Sequence, residues 1–306
     1  MFSKIIKIKS PYFMVSKHSG LQLVHNTLRL ATFLLFAGRA WQHLFWDAPF
    51  RTLLWDQDVM ENLVLLLRGG TWQEYVTSAA TDRFIAYAVI GFGIFYAMMA
   101  ILTLFLSGKR LVKFTWLYIL SSVALVFLAF LYSKEKFFHA GQFFEYAIQF
   151  LLPLFFCYGL TQRIKLPKLL LIMKIAIAFT FTAHGLYAIG YYPQPGVFVD
   201  MLLNIFNIDE ATAKSILLIA GILDFVISIT IFIPRLSTYS LIYAAVWGGL
   251  TALARTWANF YIDFPLDSLH QNFYETVYRL PHMLVPMAAL FITFQLNKEK
   301  QLKAFS

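Results

Sequence analysis

Long apolar runs separated by short polar connections recur from one end of this chain to the other. Each is close to the roughly 20 residues needed to cross a bilayer as a helix. Eight such runs stand out, at about 27–46, 83–107, 114–133, 147–161, 168–190, 214–234, 238–257 and 277–296. They are continuous and rich in Leu, Ile and Phe, whereas barrel strands alternate over about ten residues. The expected fold is therefore an all-α polytopic membrane protein with about eight transmembrane helices. Two further stretches mix apolar and charged residues, FRTLLWDQDVMENLVLLLRGGTWQEY (50–75) and PGVFVDMLLNIFNIDEATAK (195–214). Both predict amphipathic helices lying at the outer interface.

Composition agrees with this picture. Of 306 residues 59% are hydrophobic and 13% charged, the latter about half the share of a soluble domain. The net charge of +9 raises a nucleic-acid reading, but its distribution opposes that. Basic residues gather at the N-terminal tail (Lys4, Lys7, Lys9, Lys17), at Lys109, Arg110 and Lys113, at Arg163, Lys165 and Lys168, at Arg235, and at Lys298, Lys300 and Lys303. These are alternate connections, and the others hold most of the acids. The positive-inside rule then puts both termini in the cytoplasm, with the protein in the cell (inner) membrane. The basic tails, 1–26 and 297–306, would meet anionic membrane lipid and no nucleic acid. The first run follows a long basic tail and lacks a small-residue cleavage pattern, so it reads as a span and not a signal peptide. The single cysteine, Cys157, excludes an intrachain disulfide.

The chain also resembles itself. A shift of 146 residues lays FLLFAGRAWQHLFWDAPF (33–50) on FTFTAHGLYAIGYYPQPG (179–196), matching Phe33 with Phe179, Ala37 with Ala183 and Pro49 with Pro195. GIFYAMMAILTLF (93–105) resembles GILDFVISITIFI (221–233), and QFFEYAIQF (142–150) resembles NFYETVYRL (272–280). The common order predicts two parallel four-helix repeats, 27–161 and 168–296, joined by a cytoplasmic linker at 162–167.

Within the second repeat, FTAHGLYAIGYYPQPG (181–196) and LIAGILDFVISITIFIPR (218–235) resemble the DoxX family of small four-helix membrane proteins. Asp224 falls at the acidic position of that family's second helix; Tyr96 stands there in the fainter first half. The resemblance implies a membrane subunit tied to quinone-linked oxidoreductases, many members having no assigned role.

Ionisable residues inside spans are costly and should face the bundle interior. Arg39 and His43 share one face of the first span at i,i+4, and Glu275, Arg279 and His282 share a face of the last. With His184, Asp224 and Arg255 they form the candidate ligand-binding set, expected to meet in a polar pocket open to the outer side. The structural reading stands beside this. Arg39 and Arg279 could snorkel outward or pair with Asp47 and Glu275, the histidines could be packed polar residues, and Asp224 could be neutralised by an arginine or histidine. No HExxH, CxxC or CxxCH motif points to a metal or haem, and Gly69–Gly70 lacks a P-loop's context. Three functions remain open: a quinone- or lipid-binding subunit linked to redox chemistry, a proton-coupled transporter or lipid-handling protein, and a structural subunit with partner subunits docked on it. The sequence assigns no catalytic residue, and a quinone is the cofactor the resemblance implies.

Overall fold

The computed structural model describes residues 11–161 and 163–304, so Lys4, Lys7 and Lys9 of the basic tail lie outside the described residues. Those residues form fifteen helices and no strand. In chain order they are α1 (Pro11–Phe45), α2 (Arg51–Leu54), α3 (Gln57–Arg68), α4 (Trp72–Thr77), α5 (Ala79–Phe105), α6 (Gly108–Lys113), α7 (Thr115–Glu135) and α8 (Ala140–Glu145). They continue with α9 (Ala147–Leu160), α10 (Leu166–Ala188), α11 (Gly196–Phe206), α12 (Glu210–Thr230), α13 (Ser237–Ala258), α14 (Pro265–Arg279) and α15 (Pro281–Ala304).

Six stretches among the described residues are long and apolar enough to cross a membrane: Ala79–Phe105, Thr115–Glu135, Ala140–Leu160, Leu166–Ala188, Glu210–Thr230 and Pro265–Leu302. They make this an integral membrane protein. Helices also cover the predicted spans 27–46 and 238–257, but α1 and α13 are outside those six. Both are long enough, and both dilute their apolar residues with polar ones: Arg29, Arg39, Gln42 and His43 in α1, and Ser240, Thr251 and Arg255 in α13. Helix α1 also begins well before residue 27, at Pro11.

Local chemistry sets the boundaries. The segment 50–75, expected as one amphipathic helix, is three. Asp56 caps α3 by accepting from Val59 N–H (3.2 Å), and Gly69 ends it at φ 67°. Thr71 and Glu74 then form a capping box that starts α4. Each device satisfies backbone groups that a helix end leaves open, so the chain turns twice where hydrophobicity alone suggested a continuous run. Helix α11 occupies the second predicted interfacial stretch and stops at Asn207 (φ 51°), after which Asp209 caps α12.

Four helical columns form the interior: α1, α8–α9, α10 and α14–α15. Four more lie outside them. Helix α5 packs on α1, α12 on α10, α7 on α8–α9, and α13 on α14–α15. Helix α1 also crosses to α14–α15 and α10 crosses to α8–α9, while α9 touches α15. Glycines allow two of these approaches. A Cβ on Gly93 of α5 would lie 3.1 Å from His43 Cβ, and one on Gly221 of α12 would lie 2.7 Å from Ile189. The buried charged and amide side chains concentrate on the inner columns, among them Arg39, Gln42, His43, Glu145, Gln149, Arg279 and His282. That follows from the cost of exposing such groups to hydrocarbon.

The columns α8–α9 and α14–α15 are both interrupted at this polar level. Helix α8 ends at Glu145 and α9 restarts after Tyr146; α14 ends at Arg279 and α15 restarts after Leu280. Pro281, which lacks an N–H, accounts for the second interruption.

Candidate ligand-binding site

Five of the eight predicted residues converge. His184 of α10, Asp224 of α12, Arg255 of α13, Arg279 of α14 and His282 of α15 line one cavity of about 410 Å³. Most of its remaining wall is apolar, including Phe198, Met201 and Leu202 of α11 and Trp247 of α13. The site is thus a hydrophobic slot with a few polar groups in its wall, the usual build of a small-molecule pocket.

The arginines are both neutralised. Arg279 of α14 donates to Glu145 Oε1 of α8 at 2.8 Å, and His184 Nε2 lies 3.5 Å from the same oxygen. The other Glu145 oxygen accepts from Gln142 (3.1 Å). Arg255 donates to Glu275 at 2.8 Å, so Glu275 acts behind the cavity wall and not on it. A second link joins α13 and α14, where the hydroxyls of Thr256 and Thr276 lie 2.7 Å apart.

Asp224 is 2% exposed and has no hydrogen bond to its carboxylate and no ion partner among the described residues. The pairing expected from sequence is therefore not made, because the arginines facing the cavity are held by Glu145 and Glu275. His282 is oriented by its own turn. Its Nδ1 lies 2.8 Å from the Arg279 carbonyl; a carbonyl only accepts, so Nδ1 carries the proton and Nε2 presents a lone pair. The ring stacks on His184 with centroids 5.7 Å apart. Pro286 leaves the His282 carbonyl without its helical donor, and Gly248 of α13 packs against that oxygen, where a Cβ would lie 2.4 Å away.

Arg39 and His43 are elsewhere. Arg39 is 1% exposed and donates to Gln42 (2.7 Å) and Gln149 (2.6 Å). Its guanidinium lies 3.9 Å from the Tyr278 ring centroid and 5.2 Å from that of Tyr146. Rings and amide oxygens hold this cation in place of a carboxylate; Asp47, the acid nearest in sequence, pairs with Arg51 at 2.6 Å. His43 bonds the Arg39 carbonyl (2.7 Å) and packs its ring 5.2 Å from that of Tyr96. Tyr278 connects the two clusters, because its ring also lies 5.7 Å from the Arg279 guanidinium.

Sequence reasoning left Glu145, Gln149, Gln42 and the tyrosines out of the site. A signal existed for the first two: Glu145 and Gln149 share a helical face and stand opposite Glu275 and Arg279 in the internal alignment. Among the described residues, no group of three or more His, Cys, Asp or Glu is placed to hold a metal ion. No family model, curated protein or solved structure matches the chain.

Proposed function

We propose that this membrane protein binds an amphiphile, a quinone or a lipid, with its polar head at His184, Asp224, Arg279 and His282 and its apolar body along α11 and α13. The observation that carries this reading is the convergence of those groups on one otherwise apolar cavity of about 410 Å³. A DoxX-like subunit linked to redox chemistry is the role we favour, with Asp224 at the acidic position of the second helix, both termini cytoplasmic and the protein in the inner membrane.

We read the architecture as two four-helix repeats with eight crossings. Reciprocal packing supports it, since each half's first helix meets its own second helix and the other half's fourth. The glycines give independent support. Gly93 and Gly221 correspond in the internal alignment, as do His43 and Ile189, and each glycine meets its own half's member of that pair. The test of function is gentle purification followed by a UV–visible spectrum and mass spectrometry of extracted small molecules. A near-stoichiometric amphiphile, lost from a Trp247→Ala, Met201→Ala double variant, is expected. Its absence from the native protein sinks the reading.

A second reading, a proton-coupled transporter, draws on the interruptions beside Glu145 and Arg279 and on the unpartnered carboxylate of Asp224. Interrupted helices and buried acids at mid-membrane depth serve that chemistry elsewhere. Proton-driven uptake into proteoliposomes, abolished by Asp224→Asn, would select it.

A further inference from the structure

The cavity lies between α12 and α13, and these two consecutive helices share little contact, far less than α12 shares with α10 or α13 with α14–α15. Beside their connection the hydroxyls of Thr230 and Ser240 lie 2.8 Å apart. At the opposite end α11 spans the gap. It packs on both helices, its Met201 and Leu202 line the cavity, and its Asn204 donates to the Ala258 carbonyl at 3.1 Å. The end that the proposed topology places outside is thereby covered by apolar side chains. Along the flank, exposure grades across α13. Trp247, Thr251 and Arg255, at i, i+4 and i+8, are half-buried wall residues. The neighbouring stripe of Leu250, Leu253 and Trp257 also lines the cavity, yet is 54%, 53% and 74% exposed. Residues that both line a cavity and face outward form its rim. All three are hydrophobic, and α12 opposite is long and apolar enough to cross a membrane, so this mouth faces hydrocarbon and not water.

In the first half the corresponding cleft is closed. Its helices α5 and α7 likewise share little contact. Phe50 fills the space between them: it is 5% exposed, with its ring 5.1 Å from that of Phe92 on α5 and 5.9 Å from that of Phe127 on α7. It belongs to one apolar cluster with Val89 and Leu128 of the same two helices. The 146-residue shift that aligns Pro49 with Pro195 places Gly196 opposite Phe50. Glycine has no ring to insert, and a Cβ there would meet only Asp200, at 3.9 Å. A cleft that one half closes with its own phenyl ring is thus open in the other. Resting on the amphiphile reading above, we infer that the cavity is loaded sideways from the bilayer, between α12 and α13, by an amphiphile whose head reaches Asp224 and Arg279 and whose tail leaves over Leu250, Leu253 and Trp257 into the lipid. The site therefore accepts tails longer than the slot, and each chain holds one such molecule. Two sources share this chemistry, a long-tailed quinone and a membrane phospholipid.

The full-length protein is reconstituted into phosphatidylcholine vesicles with one of two probes, a long-tailed quinone or a phosphatidylethanolamine, each bearing a photoactivatable diazirine midway along its tail. Labelled residues are read by peptide mass spectrometry, with and without an excess of the same molecule lacking the diazirine. Label at Leu250, Leu253 or Trp257 that the excess removes is expected from at least one probe, and which probe gives it names the source. Label at Ile94, an exposed residue of α5, should resist the excess, because bulk lipid reaches it. In the double variant Leu250→Trp, Leu253→Trp, which crowds the rim at exposed positions, the competable label at Trp247 and Trp257 should fall about tenfold. If that variant does not fold, the labelling of native protein decides alone. No competable label at the rim from either probe, or a label unchanged in the folded rim variant, overturns sideways loading. The amphiphile reading still stands if competable label appears at Met201 and Leu202 or if an amphiphile is extracted from native protein, and it falls as well if neither is found.

Discussion

Arg39 is held without a carboxylate, by two amide oxygens and by the rings of Tyr132 on α7, Tyr278 on α14 and Tyr146 at the break between α8 and α9. A planar guanidinium can stack and fork simultaneously, whereas an ammonium cannot. Arg39→Lys should therefore cost about 2 kcal/mol despite keeping the charge, read as a lower melting temperature in detergent. The Glu145–Arg279 pair behaves differently. Arg279→Ala leaves Glu145 buried with His184 and Gln142, and about 3–5 kcal/mol of destabilisation is expected. The double replacement Glu145→Leu, Arg279→Met should recover most of that loss, since removing both charges also removes the cost of burying them. An additive double variant would show that the two residues are not coupled. Sequence spacing correctly set Arg39 and His43 on one buried face, yet it could not name their partners. Gln149 and Glu145 come from positions 110 and 134 residues away from Arg39 and Arg279, a separation that helical periodicity does not encode. The acids nearest in sequence, Asp47 and Glu275, are occupied by Arg51 and Arg255.

Helices in this protein were easier to foresee than their breaks. Continuous apolarity located a helix at all eight predicted spans, because length and composition suffice for that. The interruption after Arg279 had a signal in Pro281, while the one at Tyr146 has none we can identify. Caps at Asp56 and Thr71 divided the segment 50–75 through side-chain bonds that an apolar periodicity overlooks. Helix packing yields a paired prediction. Gly248→Ala places a methyl against the His282 backbone and should destabilise by about 1–3 kcal/mol. Gly91→Ala, where a Cβ meets nothing within 4 Å, should be neutral or stabilise by up to about 1 kcal/mol. The amphipathic helix α3 carries a pH dependence. Lys134 on α7 donates to Asp56, its N-cap, and with the Val59 N–H holds that carboxyl below its ordinary 3.8. A depressed acid stabilises the folded state above its unfolded pKa and loses that contribution as the pH falls through the folded one. Protection of the α3 amides, taken relative to the unprotected exchange rate at each pH, should hold steady from neutral pH to about pH 5 and weaken below about pH 4. In Asp56→Asn the protection should be weaker and flat across this range.

The arrangement of the eight columns permits a direct test of orientation. Cys157 is buried, so the native protein offers little background to a membrane-impermeant thiol reagent. Cysteines introduced at Glu210 and Gln57 should label from outside intact cells, and those at Lys109 and Lys165 should label after permeabilisation. The opposite pattern would invert the proposed topology.

The reciprocal packing of α1 on α14–α15 and of α10 on α8–α9 bears on how the chain can be cut. Each half lends its first helix to a surface that the other half completes, and the Glu145–Arg279 bond crosses the same seam. Neither 1–161 nor 163–306 expressed alone carries a finished interior; each would leave buried charge facing lipid and should be degraded. Produced together as separate polypeptides, the two should find one another in the bilayer and co-purify as a nicked but functional protein, because the contacts between α1 and α14–α15 and between α10 and α8–α9 do not depend on the peptide link.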